Sequence, residues 1–404
     1  MLFILAWRNI WRNKKRSLIV IAAITAGLSC GLFASAVMYG MYDSLINTTI
    51  DRELGHIQIH SPKFEDEKII TDSIPDFQSV VSNIKNISEI SGVSSRVIIE
   101  AMCSSPTSSR GVKITGIIPD DERKVTSIHK QIIEGNYFES NTSSQIVIGK
   151  KLADNLDVKL KSKIVLSFQD FEGNIVYAAF RVTGIFKTES SIYDQSVVFI
   201  NQRDLFGLLN QSFFSHEIVI RLKSFQLVDS AFVKLSKNFP FLSVKDWKLL
   251  SPEIKVYYDI LDIQLYLFMG IILFALLFGI TNTMLMSVIE RIREIGILIA
   301  LGMKRSRIFT MIILETIALS LVGGITGLIF GAIVVSIVSS TGINLSAFTE
   351  GLSQFSISTI LYPVLPLTFY PVITLMIILS AIIAAIYPAL KAIKLKPATA
   401  IRTY

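Results

Sequence analysis

Residues 17–42 read SLIVIAAITAGLSCGLFASAVMYGMY, a stretch without a single charged side chain. As a helix it is long enough to cross a hydrocarbon core of about 30 Å. Residues 263–289 and 351–390 form two more uncharged runs, and residues 308–340 form a fourth that only Glu315 interrupts. The chain is 51% hydrophobic and 18% charged, unlike a soluble domain. These runs predict a membrane protein with four spanning helices.

The basic residues of the apolar part are clustered. Outside residues 43–262 the chain has 14 Lys and Arg, all within residues 1–16, 291–307 and 391–404, whereas residues 43–262 have a net charge of −3. The positive-inside rule then predicts that all three clusters and both termini are cytoplasmic. Because the excess of +7 lies at the membrane boundaries, it does not indicate nucleic acid as a partner.

The predicted domain order follows from these runs and clusters. We expect the first run to be a retained anchor and not a cleaved signal, because it continues past its small residues to Tyr42. The expected segments are a cytoplasmic amphipathic helix at 1–16, spans at 17–42, 263–289, 308–338 and 367–390, an extracytoplasmic domain at 43–262, a basic cytoplasmic segment at 290–307, an extracytoplasmic connection at 339–366 and a cytoplasmic tail at 391–404.

The segment between the first two spans has the pattern of a mixed α+β domain, and its length of about 220 residues allows one domain or two subdomains. In Gly55–His60, GHIQIH, the isoleucines fall on one face of a strand and the histidines on the other. His56 and His60 are then about 13 Å apart, too far to share a metal ion, so we expect surface histidines and no metal site. Helical stretches between further alternating strands favour α+β over a sandwich. We expect helices at 77–87, 150–156 and 225–238, a strand at 175–186 and a hairpin turn at 171–174.

Three features of the membrane part are each consistent with more than one interpretation. Trp7, Arg8, Trp11 and Arg12 have the spacing of an interfacial amphipathic helix, or of a basic flank with an aromatic belt. Gly323, Gly327 and Gly331 recur every four residues and indicate close helix packing, although incidental glycine is common in membrane helices. Glu315 lies about 12 Å beyond Arg307 along a helix, where an acid is functional, snorkelling or capping.

The chain contains no G-x-x-x-x-G-K-[ST] sequence, so it cannot bind nucleotide phosphates in the manner of a P-loop. Gly27–Gly31 matches G-x-S-x-G, but that pattern needs a strand, a turn and a nearby histidine, and here it lies in the middle of a span. We expect no catalytic residue in this chain. If ATP is used, a partner supplies the site.

Residues 286–308, MSVIERIREIGILIALGMKRSRI, are the most specific stretch. With AWRNIWRNKKRS at 6–17, EGNYF at 134–138, IVIGKKLADNL at 146–156 and YPALKAIKLKPATAIR at 387–402, they resemble the FtsX/MacB/LolC-LolE family of ABC transporter permeases. The resemblance covers nearly the whole chain, and GHIQIH with Trp247–Pro252 looks most like the lipoprotein-releasing branch. Lys161 and Ser162 depart from the family's common Gly-Asp, which affects one turn.

The resemblance implies a permease of an inner membrane that pairs with an identical or paralogous permease and with a dimer of ATPase subunits, which bind the ATP and Mg²⁺. It also implies that residues 290–304 form a coupling helix seated on the ATPase. The residues that carry this role would be Glu290, Arg291, Arg293, Glu294, Gly296, Ala300, Leu301, Gly302 and Lys304. The activity would be lipoprotein release, or adaptor-dependent efflux of peptides or small molecules, or regulation of a cell-wall hydrolase.

Overall fold

The structure is a computed structural model that describes residues 2–12, 14–67, 69–138, 142–211 and 213–394. It divides into two compact units. The membrane unit comprises Met1–Tyr42, Tyr258–Asn344 and Ile360–Tyr404. The inserted unit comprises Asp43–Tyr257 and Leu345–Thr359. The predicted tail at 391–404 lies mostly outside the described residues.

Four helices are long and apolar enough to span a membrane among the described residues. They are α2 Lys14–Thr49, α11 Pro252–Glu290, α13 Arg305–Thr341 and α15 Phe369–Ile393. Two shorter helices belong to the same unit, α1 Leu2–Arg12 before α2 and α12 Ile292–Ala300 between α11 and α13. The four-helix prediction from the apolar runs is confirmed, and a continuous helix begins at Pro252, well before the second apolar run.

Packing within the membrane unit comes from one apolar stripe on each helix. Leu28 and Leu32 of α2, Leu265 and Met269 of α11 and Ile373 of α15 belong to one buried cluster. The opposite stripes stay exposed, as along α11 at every third or fourth residue: Ile263, Leu267, Ile271, Phe274 and Phe278. Such faces are expected to contact lipid or another apolar helix.

The inserted unit is a mixed α+β domain, as predicted. After α2, a π-helical turn at Ile50–Leu54 leads into the domain. Its strands are β1 Ile57–His60, β2 Ile90–Ser104, β3 Ser109–Ile117, β4 Ile132–Gly135, β5 Gln145–Gly149, β6 Lys163–Gln169, β7 Ile175–Phe186, β8 Val197–Asn201, β9 Glu217–Leu222 and β10 Ser243–Asp246. Its helices are α3 Pro62–Glu67, α4 Phe77–Lys85, α5 Pro119–Glu122, α6 Lys150–Leu156, α7 Ser191–Ser196, α8 Gln202–Leu209, α9 Val228–Asn238, α10 Trp247–Leu250 and α14 Thr349–Gln354.

All ten strands form one sheet in the order β10-β1-β9-β2-β3-β8-β5-β7-β4, with β6 joined to both β2 and β7. Most pairs are antiparallel, but β3 with β8 and β5 with β7 are parallel. The hairpin turn predicted at Phe171–Asn174 joins β6 to β7. Two large apolar clusters, one around Val198 and one around Trp247, form the core of this unit.

The prediction of surface histidines is wrong. β1 lies between β9 and β10 and is buried on both faces. His56 Nδ1 accepts a hydrogen bond from the Leu222 amide at 2.9 Å, and burial lowers the pKa of His56 to about 4. His60 contacts the Glu217 carboxylate at 3.3 Å. Alternation along one strand cannot reveal that a polar face is covered as well.

Candidate functional site

The predicted coupling segment is a short helix between two long ones of the membrane unit. Helix α11 ends at Glu290, Arg291 leaves helical geometry, and α12 follows at Ile292–Ala300. The Met303 amide bonds the Leu298 carbonyl at 3.0 Å and the Gly302 amide bonds that of Ile299 at 3.0 Å, the pattern of a Schellman motif. Gly302 has φ +86°, which glycine adopts without steric cost.

Two carboxylates of this segment face basic residues at the beginning of the chain. Arg12 Nη2 donates to Oε1 and Oε2 of Glu294 at 2.8 and 2.7 Å. Arg16 donates to Glu290. The hydrogen bond from Arg12, aided by Arg291, holds the pKa of the Glu294 carboxyl below its usual value. Both pairs are partly exposed, so each contributes little to stability but fixes the orientation of the segment.

A third ion pair is more deeply placed. Arg291 Nη1 donates to Oε1 and Oε2 of Glu315 at 3.1 and 3.0 Å, and these side chains are 13% and 7% exposed. Arg291 Nε also contacts Glu294 Oε2 at 3.3 Å. The acid that the sequence places within the third span is therefore the partner of a coupling-segment arginine. It joins α13 to the residue that directly follows α11.

The outer face of α12 remains exposed. Ile295 and Gly296 are buried against the helices, whereas Leu301 is 79% exposed and Ile297 is also exposed. The remaining candidates on this face are exposed as well, namely Arg293, Ala300 and Lys304. An apolar surface rimmed by cations on an aqueous segment is typical of a protein-binding site.

Helix α1 is amphipathic. Ile10 is buried among residues of the other helices, whereas Trp7, Arg8, Trp11 and Arg12 are exposed. The two tryptophan rings meet edge to face at 6.1 Å between centroids. Arg12 can therefore pair with Glu294 of the coupling segment while both tryptophans remain on the exposed face of α1.

The glycine series of α13 lies directly against α2. A methyl group at Gly327 would lie 3.1 Å from Leu28 Cβ and 3.2 Å from Thr25 Cα. Gly323 and Gly331 would meet Ile24 and Leu32 at 2.9 and 2.8 Å in the same way. Ser29 Oγ donates to the Gly327 carbonyl at 3.0 Å, and Thr25 Oγ1 donates to that of Gly323 at 3.2 Å. Small residues therefore permit close backbone approach, with polar bonds across the interface.

Sequence reasoning missed two partners of the site. Arg16 appears in the sequence only as one of several basic residues, and no periodicity links it to Glu290, 274 positions away. The sequence predicts Arg291 only as one of the coupling residues, yet its guanidinium donates to Glu315. The only available signal was the i,i+3 spacing of Arg291 and Glu294, which allows a contact on one helix face.

Comparisons with known proteins agree with this architecture. Residues 17–236 match the family model of the MacB-like periplasmic core domain, and residues 266–397 match that of the FtsX-like permease C-terminal domain. The chain belongs to the FtsX/MacB/LolC-LolE family of ABC transporter permeases. This permease is thus a membrane protein whose inserted unit corresponds to a periplasmic domain.

Three relatives indicate the breadth of the family. The permease is 22% identical to the lipoprotein-releasing system transmembrane protein LolE of Haemophilus influenzae, over 100% of this chain and 99% of that protein. It is 31% identical to an uncharacterised ABC transporter permease of Methanocaldococcus jannaschii, over 52% of each chain. It is 35% identical to the macrolide export ATP-binding/permease protein MacB of Chlorobium luteolum, over 31% of this chain and 16% of that protein.

Proposed function

We propose that this permease couples ATP hydrolysis by a separate ATPase chain to movement of its periplasmic domain, with α12 as the element that seats on the ATPase. The exposed apolar face at Ile297 and Leu301 is the observation that carries this proposal. In water such a face costs free energy unless a partner covers it. Its cationic rim at Arg293 and Lys304 favours an acidic groove as the partner surface.

Ion pairs between the coupling segment and the neighbouring helices provide a route by which a movement of the ATPase would reach the spanning helices. The carboxylates of Glu290 and Glu294 connect the segment to Arg16 and Arg12, and Arg291 connects it to Glu315 of α13. Helix α11 runs without interruption from Pro252 to Glu290. No proline follows Pro252 within α11, so we expect no proline kink in it and propose that the spans act as levers.

We further propose that the cargo is a lipoprotein released from an inner membrane, with both termini of the permease in the cytoplasm and a second permease, identical or paralogous, completing the complex. The alignment with LolE over the full length of both chains supports this version. Efflux with a periplasmic adaptor is the second candidate, because the inserted domain matches the MacB-like core model.

Replacement of the exposed leucine tests the coupling role. Leu301→Asp removes apolar contact area without disturbing the core, since the side chain is 79% exposed. We expect normal membrane insertion but loss of most cargo-stimulated ATPase activity when the purified complex is reconstituted. Val233→Asp, on the exposed face of α9 in the inserted unit, is the matched control and should behave as wild type. Full stimulation of the Leu301→Asp complex would exclude α12 as the ATPase contact.

Depletion of the permease tests the cargo. Accumulation of lipoproteins in the inner membrane is the expected result, together with copurification of lipoprotein on the purified complex. If lipoprotein sorting is unaltered and a periplasmic adaptor copurifies with the complex, the efflux hypothesis replaces lipoprotein release. Filamentation with normal sorting would replace both by hydrolase regulation.

A further inference from the structure

Two buried arginines of the inserted unit differ in what surrounds their guanidinium groups. Arg96 donates to both carboxylate oxygens of Glu122 and to Glu217, at distances from 2.7 to 3.2 Å. Arg52 is only 5% exposed, yet its Nε and Nη1 atoms have no hydrogen-bond partner among the residues that the structure describes. A buried donor without a hydrogen-bond partner carries the desolvation penalty of that group. Arg52 therefore keeps two buried donors that no described residue satisfies and that an acceptor from outside the chain would satisfy.

The acids close to Arg52 are already committed to other donors. Glu53 accepts a hydrogen bond from Lys113 at 2.5 Å. Asp194 accepts three hydrogen bonds from the amide and hydroxyl of Thr188, at 2.7 to 3.1 Å. The ring of Tyr193 covers one face of the Arg52 guanidinium, with 4.9 Å from Cζ to the ring centroid. A cation–π contact supplies attraction to one face but no acceptor in the plane of the donors.

A cavity of about 350 Å³ lies beside this guanidinium. Arg52 and Lys113 contribute its cationic lining, Ser190 and Ser196 contribute hydroxyl-bearing residues, and Val112 with its neighbours contributes apolar surface. This volume falls at the lower end of the range for small-molecule sites. Glu53 and Glu100 also line the cavity, which disfavours a ligand with several negative charges.

We propose that this cavity binds a small molecule through one oxyanion group, a carboxylate or a phosphate, with Arg52 as the principal cation. A guanidinium matches such a group because its donors lie in a planar fork. Lys113 also lines the cavity but already donates to Glu53, so Arg52 is the main cation available to a ligand. The site goes beyond the proposed transport function, because it lies wholly within the inserted unit.

The position of Arg52 gives the site a structural consequence. Arg52 belongs to the π-helical turn at Ile50–Leu54 that directly follows α2. Ser190, Tyr193 and Ser196 belong to α7 or its N-cap. A bound oxyanion therefore joins the turn after the first spanning helix to α7, and restricts local opening of both segments.

Binding by the full purified permease tests the site. The probes are inorganic phosphate and acetate, with chloride at equal ionic strength as the reference, followed by calorimetry and by amide hydrogen exchange. We expect saturable binding of at least one probe and slower exchange in residues 50–54 and 190–197. Saturable binding of only one of the two probes would identify whether the site prefers a phosphate or a carboxylate. Absence of saturable binding of either probe up to about 10 mM overturns the proposal.

Variants separate this site from a general ionic effect. Arg52→Gln should weaken binding by about tenfold or more, since a charge-assisted bond is lost. Arg203→Gln, an exposed arginine of α8, should change it by less than about twofold. Arg52→Lys keeps the positive charge but lacks the planar pair of donors, so it should bind with intermediate affinity. This variant provides the test if Arg52→Gln does not fold. Equal affinity of wild type and the Arg52 variants overturns the proposal.

Discussion

The ion pair between Arg291 and Glu315 allows the sharpest energetic prediction. When one member is removed, Arg291 keeps a second carboxylate partner, whereas Glu315 loses its only direct arginine contact among the described residues. In Arg291→Met, the buried Glu315 loses both bonds from the guanidinium, at 3.0 and 3.1 Å, and keeps the neutral Asn9 side chain as a partner but no described arginine in direct contact. Removing one member of a buried pair typically costs about 3–5 kcal/mol, and we expect about 3 kcal/mol here. In Glu315→Leu, Arg291 keeps Glu294 at 3.3 Å, so we expect only about 1–2 kcal/mol.

The double variant Arg291→Met with Glu315→Leu replaces the pair by apolar side chains. Such replacements are often neutral, so it should lie within about 1 kcal/mol of wild type, with a coupling energy of about 3 kcal/mol or more across the cycle. The assay is the free energy of unfolding in mixed detergent micelles, titrated with a denaturing detergent and followed by tryptophan fluorescence. Additive effects of the two substitutions, with no coupling energy, would refute the pairing.

Three further predictions concern other parts of the chain. Gly302→Ala forces a Cβ into a left-handed conformation at φ +86° and should destabilise the end of α12 by about 1–2 kcal/mol, seen as faster hydrogen exchange there. Gly327→Val should cost about 1–3 kcal/mol of unfolding free energy by overpacking, whereas Gly279→Val, whose site has no atom within 4 Å, should cost much less; equal costs would contradict the packing. Burial raises the pKa of Asp194 from 3.8 to about 6, so between these pH values the native protein holds a proton that the unfolded chain releases. The free energy of unfolding should therefore fall as pH rises through this range. Asp194→Asn should remove this pH dependence, measured by unfolding at several pH values.

Local pattern explains the parts of the fold that were predicted correctly. Hydropathy alone identifies the four spanning helices, since a long uncharged run has few alternatives to a membrane helix. Helix α6 begins and ends at the predicted residues, Lys150 and Leu156, because a short amphipathic stretch follows a strand there. The alternation along β7 likewise gives its bounds correctly, at Ile175 and Phe186.

The remaining features depend on pairings that a single sequence does not contain. β1 has an alternating pattern that predicts one solvated face, yet β9 and β10 enclose it and both faces are buried. Arg12 and Glu294 are 282 positions apart, and no rule of spacing brings them together. Burial of Arg52 and Arg96 is equally invisible, because arginine is usually exposed. Contacts of this kind require the tertiary fold.

The coupling role of α12 is tested most directly by photo-crosslinking in the intact membrane, with a photoreactive phenylalanine analogue in place of Leu301 and, as a control, in place of Val233. Mass spectrometry then identifies each adduct. The account predicts an adduct at Leu301 with an ABC ATPase subunit, sensitive to nucleotide, and none with that subunit at Val233. An adduct at Leu301 with lipid alone, or with no ATPase, would contradict it.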